Sequence, residues 1–186
     1  DPAIRSLDRA EQLHPNNAAG LRLWGQALYW SGREFEAISA LHRAIKLNPL
    51  DPRSYPFLAR AYHAAGQEHR DEGNLVAADS SFQRAIETWH QALSFDPENA
   101  DHIRSLGIGY FSAGLLDDAE NALLRAADLR PGDGVTQGNL GAVYLGQGRL
   151  DEAETAFEQA VAIDSLRAEW WGNLSLLYDK QNRPEA

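Results

Sequence analysis

Apolar and small residues recur at helical intervals along this chain. Ala37, Leu41 and Ala44 put two small side chains two turns apart on one helix face, with a bulky knob between them. Ala85-Trp89-Ala92, Ala119-Leu123-Ala126 and Ala153-Phe157-Ala160 copy that face. Upstream of each lies another helical segment with a small residue at its middle: Gly25, Ala59, Gly107 and Gly141. The pattern predicts consecutive pairs of amphipathic helices. Pro49, Pro97 and Pro131 follow Leu47-Asn48, Phe95-Asp96 and Leu129-Arg130, and each stops the second helix of a pair. Gly32, Gly114 and Gly148 fall between the two helices, where a helix C-terminus favours a left-handed residue.

The pairs form a repeat. Pro15, Pro49, Pro97, Pro131 and then Ser165 are separated by 34, 48, 34 and 34 residues. Ala10, Ala44, Ala92, Ala126 and Ala160 have the same separations, as do Ala3, Ala37, Ala85, Ala119 and Ala153. Gly25, Ala59, Gly107, Gly141 and Ser175 form a fourth ladder. Glycine inside a helix costs about 1 kcal/mol against alanine, and is tolerated where a neighbouring helix approaches closely. The ladders divide the chain into four full repeats, 18–51, 52–99, 100–133 and 134–167, with half repeats at 1–17 and 168–186. Ala3, Leu7 and Ala10 place the first half as a second helix; Trp171, Leu174 and Tyr178 place the last as a first helix. Neither Trp170-Trp171 nor Leu174-Leu176-Leu177-Tyr178 is a polar cap, so a longer array or a covered end is expected.

Repeat two is 14 residues longer than the others, and the excess lies between Ala59 and Ala85. If each helix gains seven residues, close to two turns, the inner faces keep their register and the turn moves from Gly66 to Gly73. This predicts helices near 53–71 and 75–95, a hairpin that projects beyond its neighbours. Leu75, Val76, Phe82 and Ile86 would continue its apolar stripe. The competing reading ends the first helix at Gly66 and makes 67–74 a loop.

Composition narrows the class. The 186 residues carry 17 Lys and Arg against 27 Asp and Glu, a net charge of −10, with 44% hydrophobic residues. That apolar content suits a packed core and excludes disorder. The acidity argues against nucleic-acid binding. No run approaches the roughly 18 apolar residues that span a bilayer, and no signal peptide is visible. A cytoplasmic location and no membrane contact are expected. There is no cysteine, hence no disulfide or thiolate metal site.

The motif Leu106-Gly107-x-x-Tyr110, Gly114, Ala119, Leu123, Ala126, Pro131 resembles the tetratricopeptide repeat family. Leu140-Gly141-x-x-Tyr144, Gly148, Ala153, Phe157 and Ala160 match it again. Leu28, Ser165 and Asn182 depart from it, in place of the usual Tyr, Pro and turn Gly. The resemblance implies an all-α fold: a right-handed α-solenoid of antiparallel helix pairs, with the second full repeat elongated.

In stacked helix pairs the first helix of each pair lines the concave face. The expected groove residues are Arg22, Gln26 and Tyr29, then Arg53, Phe57, Arg60 and His63, then Arg104, Ile108 and Phe111, and finally Asn139 and Asn173. Arg22, Arg53, Arg60 and Arg104 would hold carboxylates. The alternative for an exposed Arg is a solvated charge paired with a nearby acid. Asn139 and Asn173 are 34 apart on successive pairs. A similar asparagine ladder in the array of O-linked N-acetylglucosamine transferase implies a grip on peptide backbone, or else each Asn bonds locally. The family's two-carboxylate clamp is incomplete here, with Phe57 where an Asn is needed. Trp24, Trp89 and Trp171 are expected in the core, whereas Tyr29 and Trp30 suit either groove or packing.

His14, His42, His63, His69, His90 and His102 form no metal-binding pair. No nucleophile elbow or phosphate loop is present. The expectation is therefore a non-catalytic interaction module with no cofactor and no metal. It would bind a protein or peptide segment, with acidic groups, in its groove. Self-association through the apolar end helices, or service as the substrate-recruiting arm of a larger enzyme, are the alternatives.

Overall fold

The computed structural model describes residues 16–180, and among these all regular structure is helical. The half repeat expected over 1–17 lies outside the described residues apart from Asn16 and Asn17, as does Asn182. The chain divides into two compact units, with the boundary between Pro97 and Glu98.

The first unit holds α1 (Ala18–Trp30), α2 (Glu34–Leu47), α3 (Ser54–Asp71) and α4 (Leu75–Phe95). Asn17 caps α1 by accepting from the Gly20 amide at 3.1 Å. α1 and α2 form one antiparallel hairpin and α3 and α4 the next. α2 packs on α3, and α1 also touches α3, so the two first helices lie side by side. The core is built from Leu28, Ala37, Leu41, Leu58, Ala61 and Tyr62, all nearly water-free.

The long repeat is a continuous hairpin. α3 runs unbroken through Gln67–Arg70, and the chain reverses at Gly73, with φ 77°. The Asn74 amide reaches back to the His69 carbonyl at 2.8 Å, closing the helix end. Counted from its turn, this hairpin is an ordinary repeat. Gly66 precedes the turn glycine by seven residues, as Gly25, Gly107 and Gly141 precede theirs. A Cβ on Gly66 would lie 2.6 Å from the Phe82 ring, just as one on Gly25 would lie 2.6 Å from Leu41. Seven residues nearer the base on each strand of the hairpin, the same register sets Ala59 opposite Trp89. The excess is thus a second packing layer, and Gly66 belongs to the interior. Of the expected stripe, Phe82 and Ile86 are buried, but Leu75 and Val76 are 61% and 83% exposed. They begin α4 beyond the Gly66–Phe82 layer.

The second unit holds α5 (Ala100–Ser112), α6 (Leu116–Leu129), α7 (Gly134–Gly146), α8 (Leu150–Ile163) and α9 (Ala168–Lys180). Asn99 and Asp133 cap α5 and α7. A Cβ on Gly107 would lie 2.7 Å from Leu123 and one on Gly141 2.6 Å from Phe157, the same close approach as at Gly25 and Leu41. Trp171, expected in the core, is 53% exposed, and its indole N–H donates to the Ser165 carbonyl at 3.0 Å. Trp170 is the buried ring instead. Gly138 on α7 has no side chain, and the Trp170 ring occupies that space.

Candidate functional site

The first unit presents α1 and α3 side by side. Tyr29 and Trp30 end α1, and Phe57 lies one turn into α3. Their three rings are mutually tilted, with centroids 5.0 Å apart for Tyr29–Trp30 and 6.4 Å for each ring to Phe57. Tyr29 and Phe57 are half-buried against the core. Trp30 is 70% exposed. The Arg60 guanidinium lies 5.7 Å from the Phe57 centroid and 6.0 Å from that of Trp89. No carboxylate among the described residues pairs with Arg60. An exposed indole beside a half-buried phenol and an uncompensated guanidinium has the make-up of an interaction hot spot.

The other three arginines of the expected groove are paired within the chain. Arg22 meets Asp51 at 3.3 Å, and Arg53 grips the same carboxylate with Nε at 2.7 Å and Nη2 at 3.1 Å. Those hydrogen bonds from Arg53 hold the Asp51 carboxyl below the usual carboxylate range, against the opposing effect of burial. In the second unit Arg104 bonds Asp133 and lies 2.9 Å from Asp101, which Arg130 also grips at 2.8 and 3.0 Å. Burial pushes the Asp133 carboxyl up; hydrogen bonds from Thr136 and Arg104 outweigh it and leave it low. Arg22 and Arg104 occupy equivalent repeat positions, each tying its first helix to the turn before the next. The pair is a brace between repeats. Pro56 and Gly138 hold that position in the other two full repeats, and Trp170 fills the gap at Gly138.

The remaining expected residues are placed as follows. Gln26 is half-buried on α1. His63 is half-buried with its ring 5.5 Å from Phe82, and burial, assisted by Arg70, keeps its imidazole below the ordinary value and hence neutral near pH 7. Ile108 is half-buried and Phe111 more exposed, both on α5. Asn139 donates its side-chain N–H to the Val135 carbonyl of its own helix at 2.8 Å. Asn173 is half-buried on α9. Periodicity left both Tyr29 and Trp30 open between groove and packing; Tyr29 is half-buried against the core, whereas Trp30, at the end of α1, is exposed.

Among the described residues no cluster of His, Asp and Glu could hold a metal ion. No described helix is long and apolar enough to cross a membrane.

Two family models described as tetratricopeptide repeat match residues 110–177 and 70–134, together more than half of the chain. A DnaJ homolog subfamily C member 7 homolog of Schizosaccharomyces pombe is 28% identical over 132 residues, 63% of this chain and 27% of that protein. The photosystem I assembly protein Ycf3 of Cyanophora paradoxa is 30% identical over 69 residues, 37% of this chain and 40% of that one. The matched part is thus well under half the length of these relatives. Among solved structures, MamA superposes with a TM-score of 0.71 at 26% identity, covering 90% of each chain. A thermophilic TPR protein of Thermus thermophilus gives 0.73 at 21% identity, covering 94% of this chain and 88% of its own.

Proposed function

This chain belongs to the tetratricopeptide repeat family, whose fold is that of a protein–protein interaction scaffold, and from that premise we propose that its first-helix faces hold a segment of a partner protein. The observation that carries this reading is the cluster of Tyr29, Trp30 and Phe57 with Arg60 beside it. Burying the exposed face of Trp30 would release ordered water from a large apolar surface, worth about 25 cal/mol per Å². Arg60 would supply an ionic contact to an acidic group of the same segment, with no carboxylate among the described residues to displace.

The first-helix face of the second unit, taken by itself, offers Ile108, Phe111, Asn139 and Asn173 to such a segment. Ile108 and Phe111 offer apolar contact, and the Asn173 amide can both donate to and accept from an extended backbone. Asn139 keeps one N–H and its amide oxygen for the same contacts while its other N–H stays on the Val135 carbonyl. Arg22, Arg53 and Arg104 act indirectly, by bracing the turns that set the spacing of the first helices. The module carries no catalytic residue in this reading. The names of its relatives, an assembly protein and a DnaJ homolog, support a function in bringing polypeptides together.

Binding to an array of acidic and apolar peptides tests the proposal. Trp30→Ala and Arg60→Glu should each weaken the bound peptides by at least about tenfold, near 1.4 kcal/mol. Arg104→Ala should lower the melting temperature more than it lowers affinity. Wild-type binding by Trp30→Ala would remove the aromatic cluster from the site.

A further inference from the structure

α6, α7 and α8 line an open cleft of about 350 Å³ on the side of the second helices. Its lining is mostly apolar on α6 and α7, with Leu124, Ala127, Leu140 and Tyr144 beside the polar Gln137, and Ala156 from α8. Glu152, Thr155 and Gln159 line the α8 side.

At the equivalent place the first unit carries a bridge between its own side chains. Tyr62 follows Ala59 by three residues, as Tyr144 follows Gly141. His42 Nε2 lies 2.5 Å from the Tyr62 hydroxyl, and Arg84 donates to the same oxygen at 3.4 Å. In the second unit Leu124 takes the position of His42 and Glu152 that of Arg84. An isobutyl group and a carboxylate cannot build that bridge. The Tyr144 hydroxyl has no hydrogen-bond partner among the described residues, and the space stays open.

The charge on the two second helices beside the cleft is predominantly negative. α6 and α8 carry Asp117, Asp118, Glu120 and Asp128, then Asp151, Glu152, Glu154 and Glu158, against the single cation Arg125. Arg149, just before α8, occupies Glu120 and Glu152. Asp128 stands one turn beyond Leu124, and Asp151 and Glu158 stand one turn to either side of Thr155. No cation among the described residues pairs with these three. α2 of the first unit instead balances Glu34 and Glu36 with Arg43 and Lys46.

We propose that this cleft docks a basic amphipathic segment of a partner protein, with one apolar side chain entering between Leu124 and Ala156 and flanking Lys or Arg meeting Asp128, Asp151 and Glu158. The acidic rim repels anionic segments and steers cationic ones. The apolar lining supplies the anchor that a charge patch alone lacks. The site uses second helices and the opposite charge from the cluster at Arg60, so it stands or falls separately from the first-helix reading.

The probe is a fluorescent helical peptide of Leu and Lys, with Leu at every third or fourth position, followed by anisotropy. Two controls replace every Leu by Ser or every Lys by Glu. The Leu–Lys peptide should bind, and both controls should bind at least about tenfold more weakly. Leu124→Arg and the double variant Asp128→Lys/Glu158→Lys should each cost at least about tenfold. Leu124 is 41% exposed and both acids are exposed, so far-UV circular dichroism melts should match the wild type. If Leu124→Arg does not fold, the double variant decides. Phe57→Ala/Arg60→Glu should leave Leu–Lys binding unchanged. Equal binding of the Ser–Lys control, wild-type affinity of the cleft variants, no binding of the Leu–Lys peptide, or loss with Phe57→Ala/Arg60→Glu would each overturn the proposal.

Discussion

Glycine serves two physical ends in this chain, and substitution separates them. Gly73 is needed for its φ of 77° and has nothing within 4 Å. Gly107 is helical and needed for its missing Cβ, which would lie 2.7 Å from Leu123. Gly107→Val should lower stability by about 1–3 kcal/mol through overpacking. Leu123→Ala in the same chain should recover part of that loss, although alone it costs about 2–5 kcal/mol. A double-mutant thermal melt reads the coupling; strictly additive losses would mean the two residues are not in contact. Asp51 gives a prediction in pH. Its folded carboxyl is depressed by Arg53, so its stabilisation is present above the unfolded value of about 3.9 and is lost as pH falls through the folded value. Asp51→Asn should melt below the wild type at neutral pH and show a shallower decline on acidification. The pairing of Arg53 with an acid two residues away was open to the sequence as the ordinary fate of an exposed Arg. That of Arg104 with an acid 29 residues away was not.

At the scale of elements, the long hairpin is the clearest case of period governing structure. Two insertions of seven, one per helix, add nearly two whole turns each and rotate the inner faces by only about 20°. The packing layer of Gly66 and Phe82 therefore stacks on that of Ala59 and Trp89 without a kink. Removing residues 59–65 and 83–89 together should leave an ordinary hairpin, with Gly66 still facing Phe82. That variant should remain helical and melt cooperatively by circular dichroism. Removing 59–65 alone shifts one strand of the hairpin against the other and should lose cooperative melting. A non-cooperative paired deletion would mean that the base layer carries the repeat. The hairpin's length was legible because the ladders share one anomaly. The assignment of Gly66 to the interior was legible too, from its spacing of seven to Gly73, but aligning ladders from the base of the repeat concealed it.

For the whole molecule, the net charge of −10 is unevenly distributed. The second helices of the second unit hold eight acids and one cation, whereas Arg60 in the first unit pairs with no carboxylate among the described residues. Two interaction faces of opposite preference should therefore act independently. Arg60→Glu should weaken only acidic peptides and Asp128→Lys/Glu158→Lys only basic ones, and the combined variant should show the sum of the two losses in anisotropy titrations. Competition between an acidic and a basic peptide for one protein would contradict that separation. The sequence by itself determined the helices, their turns, the repeat and its long member. Those follow from local rules: a period of 3.6, the missing N–H of proline, the freedom of glycine and the space a small side chain leaves. Only the tertiary structure decided which ionisable groups are already engaged, which of two adjacent tryptophans is buried, and where a cleft stays open. Each of these depends on side chains brought together from different helices, where a long flexible arm such as that of Arg104 selects its partner by reach rather than by position in the chain.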